Sequence, residues 1–256
     1  MEEETCILHI FRGEPGNQYW EEFVIVRKPF LNIIAALMEI RKNPITREGK
    51  RVNPVAWEAG CLEEVCGSCS MLINGIPRQA CTALVETLIR ETHSETITLA
   101  PLSKFPLIKD LVVDRTLMFE NLKKAAAWIE ADDSRVAVPE RISQKKQQAM
   151  YALSTCMTCG CCQEACPQVN AESPFFGPQI IGQVELFNVH PTARFQKSAR
   201  LHIMMGTQGI GGCSNVQNCV RVCPKKIPLT DAIAAVGRDV TIQAIRDLFS
   251  LPEREE

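Results

Sequence analysis

Apolar and polar positions change their period once along this chain. From Thr5 to Phe11 they alternate, and Glu22 to Val26 turns apolar, as in short strands with one face inward. Asn32 can cap a helix over Ile33–Arg41, and Pro44 stops that helix from running much further. Met71–Ile73 and Ile76–Arg78 flank Asn74-Gly75, a strong hairpin signal because a type I′ turn needs positive φ at both centres. Ile97–Leu99 reads as a closing strand. Strands wrapped on one helix, with a cysteine-bearing loop just before the hairpin, predict a small β-grasp-like domain over residues 1–106.

Beyond Pro101 the helical period takes over. It marks Met118–Ala131, Gln144–Leu153, Ile180–Phe187, Ala193–Met205 and the segment from Asp231 onward, with Thr230 placed to cap the last. Strand signals nearly vanish, and residues 132–143 read as an irregular connector. The expected fold class is therefore α+β, a β-grasp ferredoxin-like domain followed by an all-α domain over residues 107–256.

Composition narrows the function by exclusion. A net charge of −2, with no basic stripe interleaved with aromatics, argues against a nucleic-acid binder. Glu2–Glu4 and Glu253–Glu256 read as solvated ends. The acidic opening is unlike a secretory signal. The best apolar run, Ile33–Ile40, is too short to span a bilayer and is broken by Glu39. The expectation is a soluble chain that meets a membrane only through a partner. No Walker loop, Rossmann glycine fingerprint or catalytic triad is present, so no substrate site of its own is expected.

Thirteen cysteines are the anomaly, and twelve fall in three tight groups. In a reducing compartment so many thiols point to metal rather than disulfides. Cys61-x4-Cys66-x2-Cys69, followed by Cys81 beyond the hairpin, is the plant-type [2Fe–2S] pattern. Gly67 and Ser68 can let backbone N–H groups turn toward the sulfurs, which raises the cluster's potential. The alternative is a zinc ribbon, which prefers two separated C-x2-C knuckles where this group has one.

Cys156-x2-Cys159-x2-Cys162-x3-Cys166-Pro167 is the bacterial-ferredoxin run, whose fourth cysteine ligates the other cluster of a pair. Its counterpart is Cys213-x2-Val216-x2-Cys219-x3-Cys223-Pro224, with valine where the frame asks for cysteine. Cys156, Cys159, Cys162 and the crossing Cys223 then make a [4Fe–4S] site. Cys166, Cys213 and Cys219 are left with three thiolates, which suit a [3Fe–4S] centre with Val216 in the vacant corner. Cys161 falls out of frame and reads as a buried neighbouring thiol; Cys6 reads as core. His9, His93, His190 and His202 lack ligand spacing and read as structural or surface residues.

These groups, in this order over residues 61–224, resemble the iron–sulfur subunit of succinate dehydrogenase and fumarate reductase. The resemblance rests on Cys-Leu-Glu-Glu-Val-Cys-Gly-Ser-Cys at 61–69 and Asn-Gly-Ile-Pro-Arg-Gln-Ala-Cys at 74–81. It continues in Cys-Met-Thr-Cys-Gly-Cys-Cys-Gln-Glu-Ala-Cys-Pro at 156–167 and Asn-Cys-Val-Arg-Val-Cys-Pro-Lys at 218–225. It implies a respiratory electron-transfer subunit taking electrons from FAD on a flavoprotein partner, Cys61, Cys66, Cys69 and Cys81 holding the receiving cluster. Succinate oxidation and the reverse fumarate reduction both stay open, as does a free-standing ferredoxin-like carrier. Quinone-reducing relatives carry tryptophans after the Cys-Pro and a histidine after the first cysteine of the last group; here stand Asn170, Ala171 and Ser214. The resemblance is thus to the subgroup with a di-haem cytochrome b anchor and menaquinone. It implies a position on the cytoplasmic side of the cell membrane, held through that anchor.

Overall fold

The computed structural model describes residues 4–129 and 141–249. They form two compact units, one of residues 4–115 with 157–165 and one of residues 116–129 and 141–156 with 166–249. In the first, β1 (Thr5–Glu14) and β2 (Asn17–Val26) pair antiparallel from Thr5↔Val26 to Glu14↔Asn17. β3 (Ser70–Ile73) and β4 (Ile76–Gln79) form the Asn74-Gly75 hairpin, with φ of 50° and 76° at its two centres. β5 (Thr96–Ala100) lies parallel to β1 and antiparallel to β3, giving a mixed sheet in the order β2-β1-β5-β3-β4.

Alternation along β1 turns Cys6, Leu8 and Ile10 to one buried face. Helix α1 (Ile33–Lys42) covers that face with Ile33, Ile34, Ala36, Leu37 and Ile40. Its cap is the expected one, since Asn32 Oδ1 accepts from the Ala35 N–H at 2.8 Å. Each such aliphatic side chain contributes about 1.5–3 kcal/mol by leaving water.

Three features of this unit depart from the sequence reading. The β1–β2 hairpin extends to Glu14 and back from Asn17, because cross-strand aromatic contacts hold an outer half that lacks alternation. Trp20 meets His9 edge-on at 4.6 Å and Phe11 at 5.3 Å. A second helix, α2 (Val85–Thr92), lies in the first unit. Its start has no side-chain cap; the Val85 N–H is taken by the Leu31 carbonyl at 2.8 Å, a long-range substitute for a local cap. A small hairpin, β6 (Leu107–Lys109) with β7 (Val112–Val113), also appears where strands were not expected.

That hairpin is clipped to the sheet by a buried ion network. Arg12 Nε donates to Asp110 Oδ1 at 3.1 Å, Nη1 to Glu21 Oε2 at 2.6 Å, and Nη2 to the Asn53 carbonyl at 2.8 Å. Asp110 also accepts from the Gly13 and Ala56 amides, each at 2.7 Å. Helix α5 (Cys161–Ala165) completes this unit and packs on β4.

The second unit is helical, with α3 (Thr116–Lys124), α4 (Gln144–Ser154), α6 (Pro178–Val189), α7 (Lys197–Met204), α8 (Asn218–Arg221) and α9 (Leu229–Leu248). Helix α3 ends at Lys124, short of the expected Ala131; Ala126 is left-handed at φ 50°, and the last expected residues fall outside those described. Most of the connector expected at 132–143 also lies outside them. Ala193–Met205 begins as a 3-10 turn, Ala193–Gln196, before α7. Helix α9 starts at Leu229 behind Pro228, so Thr230 lies inside it and caps nothing.

Helix α6 is buried nearly all round, which is why its sequence shows so little amphipathic pattern. It approaches α9 closely: a Cβ on Gly182 would sit 2.8 Å from Leu229 Cδ2. Glu185, buried in the same helix, has an oxygen with no hydrogen-bond partner among the protein atoms. Burial, and then Asp239, push its carboxyl up to about 7, against the pull of Lys197 and Arg238. No helix among the described residues is long and apolar enough to cross a membrane.

Two outcomes follow from these buried charges. Arg12→Met leaves Asp110 and Glu21 without their cation and should destabilise the protein by about 3–5 kcal/mol in chemical denaturation. For Glu185 the folded state holds the proton more tightly than the unfolded chain, so its contribution is full below about pH 4.5 and is lost as pH rises toward 7. Glu185→Gln should therefore flatten the fall in melting temperature between pH 5.5 and pH 8.

Candidate functional site

The loop carrying Cys61, Cys66 and Cys69 is wound by left-handed residues. Leu62, Glu64 and Gly67 have φ of 62°, 56° and 74°. Alternating hands in this way turns successive amides to one side. Cys61 Sγ accepts from the N–H groups of Glu63 at 3.4 Å, Val65 at 3.2 Å and Cys66 at 3.3 Å. Cys66 Sγ accepts from the Cys61 N–H at 3.4 Å. That amide, with Ser68 behind it, lowers the exposed Cys66 thiol to about 6. The sequence expectation was that small residues at Gly67 and Ser68 let backbone N–H groups turn toward the sulfurs. Ser68 does serve Cys66, while Gly67 supplies the turn and the Cys61 donors come from larger residues.

Cys69 and Cys81 lie deeper and adjacent. Burial, with Cys81 alongside, pushes the Cys69 thiol up to about 12. A thiol held there as its conjugate acid loses its proton readily only to a metal, which replaces the proton at sulfur. The first group thus joins an amide-dressed exposed pair to a buried pair, a donor set that suits ferric iron bridged by sulfide.

Side chains outside the cysteine frames brace this loop. Arg115 Nη1 donates to the Gly67 carbonyl at 2.7 Å, and its Nη2 donates to the Ser68 carbonyl and to Glu58. The Thr82 hydroxyl donates to Glu64 Oε1 at 2.9 Å. No spacing rule names these residues. Their only sequence signal is a polar side chain near a cysteine loop.

Within the same unit, the second cysteine segment lies directly against the first loop. A Cβ on Gly67 would come within 2.9 Å of Cys159 Cα and Cβ, so only glycine allows this approach. Thr158 and Gly160 repeat the left-handed winding, at φ 50° and 88°. Cys161 hydrogen-bonds Cys159 and lowers its thiol to about 7. Cys161 itself is fully buried, as is Cys6, in keeping with the reading of both as core thiols. Glu164 anchors α5 by accepting from the Ser103 hydroxyl at 2.6 Å and the Lys104 N–H at 3.0 Å.

Cys156, Cys166, Cys213, Cys219 and Cys223 belong to the second unit. Cys223 Sγ accepts from the Ile227 N–H at 3.4 Å. Cys166, Cys213 and Cys219 line one pocket, and Val216 and Ser214 line it with them. Asn215 and Gln217, at φ 55° and 65°, wind this loop as Leu62 and Glu64 wind the first. Burial raises the Cys219 thiol, and the neighbouring Cys166 and Cys213 raise it further, against the Val220 amide. Three thiols and one valine around a single pocket suit a trinuclear cluster. Among the described residues no three His, Cys, Asp or Glu side chains converge as one bound ion requires. A polynuclear cluster spreads its thiolates over several irons and asks for no such convergence.

The histidines have structural contacts. His190 Nδ1 accepts from the Thr192 N–H at 3.2 Å, and His202 lies 2.9 Å from Asp247. Asn170 turns the chain, donating to the Pro167 carbonyl and accepting from the Glu172 N–H.

Residues 7–120 match the family of 2Fe-2S iron–sulfur cluster binding domains, and residues 152–227 that of 4Fe-4S dicluster domains. The chain is 52% identical over 251 residues to the succinate dehydrogenase iron–sulfur subunit of Bacillus subtilis (strain 168), covering 97% of each. It is 30% identical over 239 residues to the fumarate reductase iron–sulfur subunit of Wolinella succinogenes, covering 90% of this chain and 95% of that one. The fold also matches a chain of the Mycobacterium smegmatis Sdh1 complex in the apo form, with a TM-score of 0.77 and 20% identity over 94% of this chain and 98% of that one. With its 2Fe-2S β-grasp domain, its helical dicluster domain and this full-length likeness, the chain belongs to the family of succinate dehydrogenase and fumarate reductase iron–sulfur subunits.

Proposed function

We propose that this chain is the electron-transfer subunit of a succinate dehydrogenase, carrying electrons one at a time from FAD on a flavoprotein subunit toward haem b and menaquinone in a cytochrome b anchor. The observation that carries the reading is the three-thiol pocket of Cys166, Cys213 and Cys219, with valine in place of the fourth ligand. A [3Fe–4S] centre there would end a series begun by a [2Fe–2S] cluster on Cys61, Cys66, Cys69 and Cys81. A [4Fe–4S] cluster on Cys156, Cys159, Cys162 and Cys223 would lie between them in order. In this reading the [2Fe–2S] domain is residues 1–106 and the dicluster domain residues 107–256.

When bound, the clusters supply one-electron storage. The chain's own residues do the rest. The amides of Glu63, Val65 and Cys66 stabilise charge on Cys61, and Gly67 allows the second cysteine segment to lie against the first loop. The di-haem anchor and menaquinone are supported by Asn170, Ala171 and Ser214, where quinone-binding tryptophans and histidine would otherwise stand. Asn170 is engaged in a chain turn. Docking on such an anchor would hold the subunit at the cytoplasmic face of the cell membrane. Succinate oxidation is preferred to fumarate reduction because the likeness to a succinate dehydrogenase subunit is the greater. Steady-state rates in both directions in the intact complex test that preference.

Anaerobically purified complex should contain about nine irons per copy of this chain. It should give an oxidised-state paramagnetic signal from a three-iron centre and a reduced-state signal from the [2Fe–2S] cluster; absence of both would overturn the proposal. Val216→Cys offers a fourth thiolate and should remove most of the oxidised-state signal by converting the trinuclear site to [4Fe–4S]. Survival of the full signal in a folded variant would show that Val216 does not occupy the vacant corner.

A further inference from the structure

One buried polar side chain joins the first two cysteine segments. Gln79, at the end of β4, is 1% exposed and holds a set of contacts within the first unit. The Cys69 thiol donates to Gln79 Oε1 at 3.4 Å. Gln79 Nε2 donates to Ser70 Oγ at 2.8 Å and to Cys161 Sγ at 3.5 Å. Cys161 in turn hydrogen-bonds Cys159. Short buried contacts therefore run without a break from the sulfur of Cys69 to that of Cys159.

The proton inventory changes when iron binds. An iron-bound Cys69 sulfur has no proton to give, so a carbonyl oxygen facing it would set two electron-rich atoms in contact. The primary amide can meet this by a half-turn that exchanges Oε1 and Nε2. Nε2–H then donates to the Cys69 sulfur. Oε1 accepts from the Ser70 hydroxyl and from the Cys161 thiol, whose proton turns away from Cys159 and leaves that sulfur the Cys161 backbone N–H. The hydroxyl has one proton, which it now gives to the Gly67 carbonyl at 2.8 Å. Giving it to Gln79 instead leaves Gly67 satisfied, because Arg115 Nη1 already donates to the same carbonyl at 2.7 Å. Every buried group keeps a partner.

Resting on the function proposed above, we propose that Gln79 is a positioning residue for electron transfer between the first two clusters. Its amide donates to the Cys69 sulfur and so raises the potential of the [2Fe–2S] cluster. Through Cys161 it also ties that cluster's ligand to the segment carrying Cys159. A donor at sulfur favours the reduced cluster because it stabilises the added negative charge.

The test is a redox titration of the cluster-loaded complex followed by electron paramagnetic resonance. Gln79→Leu keeps the bulk of the side chain and removes the donor. It should shift the [2Fe–2S] midpoint potential downward and leave that of the three-iron centre unchanged. Pulsed measurements after exchange into deuterated water should show an exchangeable proton coupled to the reduced [2Fe–2S] cluster in the wild type, lost in Gln79→Leu. If Gln79→Leu does not assemble, Ser70→Ala carries the test, since it removes the amide's anchor and should give a smaller shift in the same direction. An unchanged potential in the assembled variant, or the same set of coupled exchangeable protons in wild type and variant, overturns the role of Gln79. A wild type without any [2Fe–2S] signal instead overturns the function on which the role rests.

Discussion

Backbone amides aimed at sulfur are the constraint around which this chain is built. A cluster bound by thiolates is anionic, and burying it demands hydrogen-bond donors that add no further charge. The cheapest donors are main-chain N–H groups, but an extended or right-handed loop points them in divergent directions. Left-handed residues at 62, 64 and 67 answer that demand in the first cysteine loop, and those at 158 and 160 and at 215 and 217 wind the other two with the same hand. Most are not glycine, so their conformation costs about 1–2 kcal/mol each. That cost is borne by what surrounds the loops: Arg115 and Thr82 at the first, and the anchored helix α5 at the second.

The scaffold around these loops uses its own buried polar groups differently. Arg12 and Asp110 form a fully partnered network that fixes β6–β7 against the sheet. Glu185 is buried without such partners and is held nearer its neutral form. In the same helical unit Arg200 is wholly buried among neutral acceptors: Asn188, Gln196 and the carbonyls of Phe187 and Ala193. Burial lowers its pKa to about 10, which still leaves it a cation, and its guanidinium closes the carbonyl end of α6.

What the sequence made legible follows from how local each signal is. Cluster chemistry dictates both residue type and spacing, so the candidate ligands could be named before any fold was known. Asn32 caps α1 and Asn74-Gly75 turns the hairpin because those effects act within three residues. Helix α2 was invisible because its first N–H is satisfied by Leu31, more than fifty residues away. The β6–β7 hairpin was missed because Asp110 finds its cation at Arg12. Thr230 looked like a cap, yet the chain enters the helix two residues earlier, with Pro228 in the cap position. Gln79 and Arg115 carry no signature at all, since their importance lies in partners brought together only by the fold.

The left-handed turns have a consequence for how this loop can change. A turn that points its amides at sulfur must point its side chains away. Leu62 and Val65 accordingly stand about half exposed on the outside of the loop, and the Val65 amide faces Cys61. Substitution at these two positions can alter the outer surface and leave the electrostatics at the sulfur nearly intact. Outer surface and electrochemistry thus occupy opposite sides of one peptide backbone, and evolution can revise the former without retuning the latter.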